Sequence, residues 1–226
     1  MMSFDAVKTV NLVDTSHTMA AELFAECEYP WEVLPKIKDF VSALGKTLDP
    51  EEYTEIAPEV WVHKSVKIAP TASLNGPCII GEGTEVRQGA FVRGSALIGK
   101  KCVIGNSTEV KNAVIFDNCE VPHYNYVGDS VLGFHAHMGA GSILSNIKAD
   151  KKNVTIAYEG EKIQTGLRKM GAVLGDWVDL GCNSVCNPGS VIGRRTNLYP
   201  LSFVRGFVPA DHVYKKQGEV AEKHFD

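Results

Sequence analysis

The feature of this sequence that most constrains its fold is a hydrophobic repeat with a period of six residues. Ten successive positions in steps of six are apolar, namely Val62, Ile68, Leu74, Ile80, Val86, Val92, Ile98, Ile104, Val110 and Phe116. A compact residue such as Ala72, Cys78 or Thr84 lies four positions after each of the first nine. An α-helix repeats about every 3.6 residues and a half-buried strand about every two, so the pattern is typical of neither.

The repeat slips by one residue between 115 and 132, and then resumes in a second regular run. That run comprises Leu174, Leu180, Cys186, Ile192, Leu198 and Val204. Six residues fit one side of a triangular coil, in which a short strand is followed by a tight turn, and stacked coils bury a continuous core. The sequence therefore predicts an all-β fold, a single-stranded left-handed parallel β-helix (hexapeptide-repeat solenoid). A β-sandwich would instead show segments that alternate with a period of two.

Three segments lie outside the repeat. Two amphipathic stretches, 19–27 and 31–44, predict helices, so that residues 1–58 form a short N-terminal helical arm. We expect the β-helix to cover residues 59–207, with an inserted lysine-rich loop at 145–169. The polar tail, 208–226, predicts a short helix or a frayed end. A loop as long as the insert is uncommon unless it is functional.

Composition and charge exclude several classes of protein. Lys+Arg number 23 against 27 Asp+Glu, the net charge is -4, and no basic block occurs, so we expect no nucleic-acid partner. The apolar runs are too short for a membrane helix, and the N-terminus lacks the apolar stretch of a signal peptide. The six cysteines do not form the pattern of a disulfide framework. We therefore expect a cytoplasmic protein with no membrane partner.

The irregular stretch 120–152 resembles a known family. Its sequence, EVPHYNYVGDSVLGFHAHMGAGSILSNIKADKK, is similar to the acetyltransferase half of the bifunctional N-acetylglucosamine-1-phosphate uridyltransferase/glucosamine-1-phosphate acetyltransferase family, which makes uridine-diphosphate N-acetylglucosamine. The matching elements are His123 with Tyr126, Val127-Gly128-Asp129, Gly139-Ala140-Gly141 and Asn146. Upstream, Arg93 and Lys111 stand where that family has phosphate-binding basic residues, and Lys152 and Arg205 fall near further basic residues of the family.

The resemblance implies a homotrimer with active sites between subunits, in which acetyl-CoA donates its acetyl group to the amine of an amino sugar phosphate such as glucosamine 1-phosphate. His123 would be the catalytic general base, since an imidazole with a pKa of about 6.5 accepts a proton at neutral pH. Asn146 would form a hydrogen bond near the amine or the thioester. The resemblance places Arg93, Lys111, Tyr126 and His137 on the substrate, and Lys152, Cys182 and Arg205 on coenzyme A. His137 replaces an asparagine of the family, and Cys182 replaces a serine.

Alternatives remain open. The first 60 residues contain no glycine-rich nucleotide loop, so we expect the nucleotidyltransferase domain to be lacking and a separate nucleotidyltransferase to be a possible partner. The chain could then be a non-catalytic module that binds a sugar nucleotide or that enzyme, with Arg93 and Lys111 as solvated charges. His135 and His137 share a strand face, so a zinc-dependent, carbonic anhydrase-like hydratase is a lesser alternative. The usual His-x4-His pair is absent, and we predict no metal site.

Overall fold

The computed structural model describes residues 4–216 and 219–222. Short parallel strands wind into a solenoid with three faces, which confirms the predicted hexapeptide-repeat β-solenoid. The first face contains Val60–His63, Cys78–Ile80, Ala96–Ile98, residues 113–115 and 130–132, Ala172–Leu174, Ser190–Ile192 and Phe207–Val208. The second face contains Lys67–Ile68, Glu85–Val86, Val103–Asn106, Glu120–His123, His137–Met138, Asp179–Leu180, Asn197–Leu198 and His212–Lys216. The third face contains Ser73–Leu74, Phe91–Val92, residues 109–110 and 126–127, Ile143–Leu144, Val185–Cys186 and Phe203–Val204.

Two strands, Glu109–Ile115 and Tyr126–Leu132, run from the third face onto the first face without interruption. Strand pairs advance by 18 residues from Cys78 to Ala96, and then by 17 from Ala96 to Ala113 and from Ala113 to Ser130. The sequence slip is therefore real, and it arises because two corners between the third and the first face are one residue shorter. The insert leaves the solenoid at this same corner, between Leu144 and Ala172. We call this line of corners the third-to-first edge.

The large hexad residues point into the solenoid and form its core. Val92, Ile98, Ile104 and Val110 are fully buried, as the period of six predicts. Strand alternation turns a second row of apolar residues outward on the first face, namely Trp61, Ile79, Leu97, Val114, Val131, Val173, Val191 and Phe207. Ile79, Leu97 and Val131 are nevertheless buried, because other segments cover this face.

The N-terminal arm covers the early coils of the first face. Its α-helices are Thr9–Leu12, Ala21–Ala25 and Ile37–Gly45, and its 3-10 helices are Asp5–Val7, Thr15–His17 and Pro30–Val33. The helix expected over 31–44 is split into Pro30–Val33 and Ile37–Gly45, because Pro35 has no backbone N–H to donate to the preceding turn. Helix Ile37–Gly45 packs on the strands of the first face, and Gly45 lies so close to the indole of Trp61 that an added Cβ would collide with it. An antiparallel strand, Tyr53–Ala57, leads into the first coil by pairing with Val60–His63.

The insert covers the later coils of the same face. It forms an antiparallel hairpin of strands Thr155–Tyr158 and Glu161–Gln164. Val154, Ile156 and Ile163 are buried, and the ring of Tyr158 stacks on Phe207 with centroids 5.0 Å apart. The insert is thus an ordered part of the fold and not an irregular loop.

The described part of the tail differs from the prediction of a helix or frayed end. Strand His212–Lys216 pairs in parallel with Asn197–Leu198, so the solenoid continues beyond residue 207. Strand Glu219–Glu222 then pairs with it antiparallel. Tyr214 explains the change, because its ring is buried and its hydroxyl donates a hydrogen bond to the Phe203 carbonyl at 2.8 Å. The rest of the predicted tail, 217–218 and 223–226, lies outside the described residues. Within residues 4–216 and 219–222, no helix has the length and apolarity required to cross a membrane.

Candidate functional site

Basic and amide side chains recur along the third-to-first edge. Lys111 is in register with Gly128, and the backbone N–H of Arg93 donates to the carbonyl of Val110 just before Lys111. The N–H of Asn187 likewise donates to the Val204 carbonyl, which places Arg205 one coil beyond Asn187 on the same edge. The repeat thus brings Arg93, Lys111 and Arg205, which are far apart in sequence, onto one line.

A buried carboxylate organises the middle of this edge. The side chain of Asp129 is only 7% exposed, and its Oδ2 lies 3.2 Å from the ammonium of Lys111. Asn112 Nδ2 donates to Asp129 Oδ1 at 2.9 Å and contacts the Leu34 carbonyl of the arm at 3.2 Å. Asn146 Nδ2 donates to Asp129 Oδ2. We call Lys111, Asn112, Asp129 and Asn146 the Asp129 cluster.

The shortened corners produce this cluster. Asn112 and Asp129 both adopt a positive φ, 49° and 47°, a conformation that asparagine and aspartate tolerate better than other residues with a side chain. The family resemblance predicts roles for Lys111 and Asn146, but it predicts none for Asn112 or Asp129. The available signal was the slip itself, because a coil of 17 residues sets Gly128 beside Lys111 and therefore brings Asp129 within reach of its ammonium.

Tyr126 and Arg93 border the Asp129 cluster. Arg93 Nη1 donates to Glu109 Oε1 at 2.7 Å, and Glu109 is in register with Tyr126. Burial raises the pKa of the Tyr126 phenol, and the carboxylates of Glu109 and Asp129 act in the same direction. A Cβ added at Gly128 would lie 2.5 Å from the Tyr126 hydroxyl oxygen, so the absence of a side chain there makes room for the phenol. The structure therefore brings together four predicted site residues, Arg93, Lys111, Tyr126 and Asn146.

A cleft of about 700 Å³ continues the edge between the insert and the last coils. Its lining comprises Ser145, Ile147, Lys148, Ala149, Asp150, Thr155, Ala157, Lys162, Asn187, Pro188 and Arg205. Of the predicted coenzyme A residues, only Arg205 lines it. Lys152 is exposed on the insert outside the lining, whereas Lys148 and Lys162, which sequence analysis did not single out, line the cleft.

His123 and Cys182 lie on a different edge, between the second and the third face. Gly141 N–H donates to the His123 carbonyl at 3.0 Å, and Asn183 N–H donates to the Ala140 carbonyl at 2.8 Å, so both predicted residues occupy equivalent corners. Both are exposed, and among the described residues the imidazole of His123 has no hydrogen bond or ion pair. From His123 to Gly128 an extended chain spans roughly 16 Å at about 3.3 Å per residue. Within one chain, the width of the third face therefore separates His123 from Lys111.

Cys186, four residues after Cys182, is part of the core. It is completely buried, and burial raises the pKa of its thiol to about 12. Cys186 therefore occupies a core position of the second hexad run, as the period of six predicts.

His137 and His135 engage different neighbours. His137 lies on the second face with its Nδ1 2.7 Å from Asp179 Oδ1, and this hydrogen bond raises the pKa of the imidazole. His135 instead stacks on Trp177 with ring centroids 3.9 Å apart. The described residues contain no group of three or more His, Cys, Asp or Glu side chains placed to hold a metal ion.

Comparisons with known proteins agree with this architecture. A solenoid of hexads whose irregular coils gather polar residues on one edge defines a hexapeptide-repeat protein. The family model described as the GMPPB C-terminal domain matches residues 74–208, more than half of the chain, and the chain belongs to this family.

Relatives confirm the resemblance to the bifunctional enzymes. The bifunctional protein GlmU of Methanococcus maripaludis is 30% identical over 241 residues, which cover 97% of this chain and 54% of that protein. A bifunctional sugar-1-phosphate nucleotidylyltransferase/acetyltransferase of Sulfurisphaera tokodaii is 36% identical over 105 residues, which cover 46% of this chain and 26% of that protein. This chain thus spans about half the length of the curated relatives, or less.

A solved structure that is similar to this chain is that of a hexapeptide transferase family protein from Anaplasma phagocytophilum. It is 16% identical, with a TM-score of 0.42, and the match covers 74% of this chain and 81% of that one.

Proposed function

We propose that this chain is an acetyl-CoA-dependent N-acetyltransferase that acts on an amino sugar phosphate of the glucosamine 1-phosphate type. The observation that carries the proposal is the convergence of Arg93, Lys111, Tyr126 and Asn146 around Asp129, next to the cleft of the insert. The names of the relatives, which include sugar-1-phosphate nucleotidylyltransferase/acetyltransferase, support the same chemistry.

The acceptor phosphate would bind between Arg93 and Lys111. Both cations pair with carboxylates, at 2.7 Å and 3.2 Å, so the phosphate would replace or share these partners. The guanidinium of Arg93 can hold two phosphate oxygens at once, and the Tyr126 phenol, whose pKa burial raises, would remain a hydrogen-bond donor. The carboxylate of Asp129 and the amide of Asn146 would then face the sugar.

His123 would act as the general base. Its imidazole accepts a proton from the sugar ammonium, which leaves a neutral amine. The amine nitrogen attacks the thioester carbonyl carbon of acetyl-CoA, forming the C–N bond. As the tetrahedral intermediate collapses, the C–S bond breaks and the sulfur leaves with its electron pair. One of the two protons on nitrogen transfers to the sulfur, and the other stays as the amide N–H of the product. The exposed thiol of Cys182, on the edge that also carries His123, would lie near the thioester.

A homotrimer would complete this site, because His123 and Lys111 lie on opposite edges of the third face. That face presents exposed apolar side chains, with Ile143 39% exposed and Phe203 50%, and Leu201, 78% exposed, lies at its corner with the second face. Contact through this face would bring the His123 edge of one copy towards the third-to-first edge of its neighbour. We expect Phe203→Glu to dissociate the assembly in light scattering, while the control Ile56→Glu, at an equally exposed position on the arm, leaves it intact. A wild-type monomer would contradict the shared site. A cytoplasmic location fits this function, because that compartment supplies acetyl-CoA and keeps thiols reduced.

The proposal is tested by mass spectrometry of the acceptor. Incubation with acetyl-CoA and glucosamine 1-phosphate should yield the N-acetylated sugar phosphate. Lys111→Ala should raise the KM for the acceptor, whereas Lys100→Ala, which removes an exposed lysine from another edge, should not. An absence of acetylated product with every amino sugar phosphate tested would contradict the proposal.

A second function, a non-catalytic module that binds a sugar nucleotide or a nucleotidyltransferase, is favoured by one observation. The imidazole of His123 has no partner within the described part of the chain to fix its orientation, whereas general bases are usually held by a second group. Binding of a sugar nucleotide without any acetyl transfer would support this function.

A further inference from the structure

The cleft of the insert contains two basic side chains that form no ion pair with the residues that the structure describes. Lys162, on the hairpin, and Arg205, on the last coils, both line it. Within the described residues, neither side chain forms an ion pair or a hydrogen bond. By contrast, Lys111 of the Asp129 cluster and the neighbouring Arg93 are both paired with carboxylates. Among the described residues, the cleft thus carries two cations without an ion pair, whereas both cations beside Asp129 are paired.

The charge balance of the cleft favours an anion. Its lining contains Lys148, Lys162 and Arg205 against the single carboxylate of Asp150, which lies 3.3 Å from Lys148. Cations of like charge in one concave site repel each other, and a phosphate group relieves this repulsion while it accepts several hydrogen bonds. Two or three cations are enough to balance the negative charge of a diphosphate group.

The remaining lining suits a nucleoside. Ile147, which is 41% exposed, lies with Ala149, Ala157 and Pro188 along the cleft, and these side chains offer an apolar surface to a planar base. The volume of about 700 Å³ is within the range of about 300–1,000 Å³ that is typical of small-molecule sites. A site that combines apolar side chains with several cations matches a nucleotide better than an inorganic anion.

We propose that this cleft binds a nucleoside diphosphate group, with Lys148, Lys162 and Arg205 on the phosphates and the Ile147 side of the cleft against the nucleoside. Two kinds of molecule that are associated with the proposed reaction carry a nucleoside diphosphate group, namely coenzyme A and a sugar nucleotide. Binding of coenzyme A would rest on the proposed function and would identify the insert hairpin as half of the donor site. Binding of a sugar nucleotide would make the cleft an effector site beside the catalytic edge.

The test is equilibrium binding to the full-length chain by calorimetry, without acceptor and therefore without turnover. The probes are coenzyme A, uridine diphosphate and uridine-diphosphate N-acetylglucosamine. We expect Lys162→Ala and Arg205→Ala each to weaken binding of the preferred probe by roughly tenfold, because each variant loses about one charge-assisted hydrogen bond. The control Lys169→Ala removes another exposed lysine of the insert, outside the lining, and should bind like the wild type.

The outcomes separate this proposal from the proposed function. If no probe binds, or if Lys162→Ala and Arg205→Ala bind like the Lys169→Ala control, the cleft proposal is wrong even where acetyl transfer proceeds. If binding weakens in both cleft variants but the wild type never acetylates an amino sugar, the cleft proposal stands and the proposed function fails. Preference for coenzyme A over both uridine nucleotides assigns the cleft to the donor, and the reverse preference assigns it to an effector. Unchanged thermal unfolding confirms that the variants are folded, as expected for two side chains that make no ion pair or hydrogen bond with residues 4–216 and 219–222.

Discussion

Asp129→Asn is the substitution that tests the organisation of the third-to-first edge most sharply. The side chain of Asp129 is 7% exposed and accepts hydrogen bonds from Lys111, Asn112 and Asn146. Asparagine preserves the shape and volume of the side chain but removes its charge. One of its two terminal atoms becomes a donor, which must face donors from the neighbouring side chains.

The expected destabilisation is about 2 kcal/mol. Breaking a fully buried ion pair by removing one partner costs about 3–5 kcal/mol, because the other charge is stranded. Lys111 is 26% exposed, so its ammonium can regain part of its hydration, which lowers this cost. The donor that loses its acceptor adds about 1–3 kcal/mol. These contributions overlap, and a net value of about 2 kcal/mol corresponds to a roughly thirtyfold change in the folding equilibrium.

Guanidinium unfolding at pH 7 and at a fixed protein concentration measures this effect. The matched control is Glu82→Gln, which removes a carboxylate 3.8 Å from Lys100 where both side chains are half exposed. We expect the control to change stability by less than about 0.5 kcal/mol, since exposed ion pairs contribute little. If Asp129→Asn is no more destabilising than Glu82→Gln, the Asp129 cluster does not organise this edge.

Three further outcomes are expected. Gly128→Ala should displace the Tyr126 phenol, because the new Cβ would lie 2.5 Å from its hydroxyl, and so raise the KM for the acceptor while unfolding changes by less than about 1 kcal/mol. Asp179→Asn should lower the pKa of His137 in an NMR titration, because the hydrogen bond to Asp179 raises it. Since the folded-state pKa is raised, the stabilisation from this pair is complete below the ordinary histidine value of about 6.5 and is lost as the pH rises through the folded value. Cys182 should react first with a thiol reagent, because the other cysteines are buried.

Each of these expectations has a control. Gly105→Ala places its Cβ against the backbone of Pro122, which cannot swing away as a phenol can, so it should be much more destabilising than Gly128→Ala. Equal unfolding losses in the two variants would contradict the role given to Gly128. An unchanged His137 titration in Asp179→Asn would show that the hydrogen bond does not set its pKa. Fast labelling that persists in Cys182→Ser would contradict the assigned exposure.

The sequence determines the solenoid because its signal is carried by many independent positions. Each hexad repeats the same physical requirement, one large apolar residue inside each side of a coil, so Ile80, Ile98 and Ile192 are placed by the same argument. The arm and the tail lack this redundancy. Pro35 splits one expected helix, and the burial of Tyr214 turns the expected helical tail into a strand.

The site was predictable only in part, because its residues do not repeat along the sequence as the hexads do. Lys111 and Asn146 could be named through the family resemblance, and the structure brings both to one carboxylate. The role of Asp129 as the shared acceptor could not be predicted, because it depends on two corners that are one residue shorter and on how the coils align there. Lys162 could not be placed beside Arg205, since their proximity depends on the hairpin folding back over the first face.

The measurement that tests the central claim most directly is the rate of thiol release from acetyl-CoA with glucosamine 1-phosphate as acceptor, in the wild type and in His123→Ala. The proposed function predicts saturable release that depends on the acceptor, and a loss of roughly 10²–10⁴ in His123→Ala with assembly and coenzyme binding retained. A wild type that releases no thiol with any amino sugar phosphate, or a His123→Ala variant that works at full rate, would contradict it.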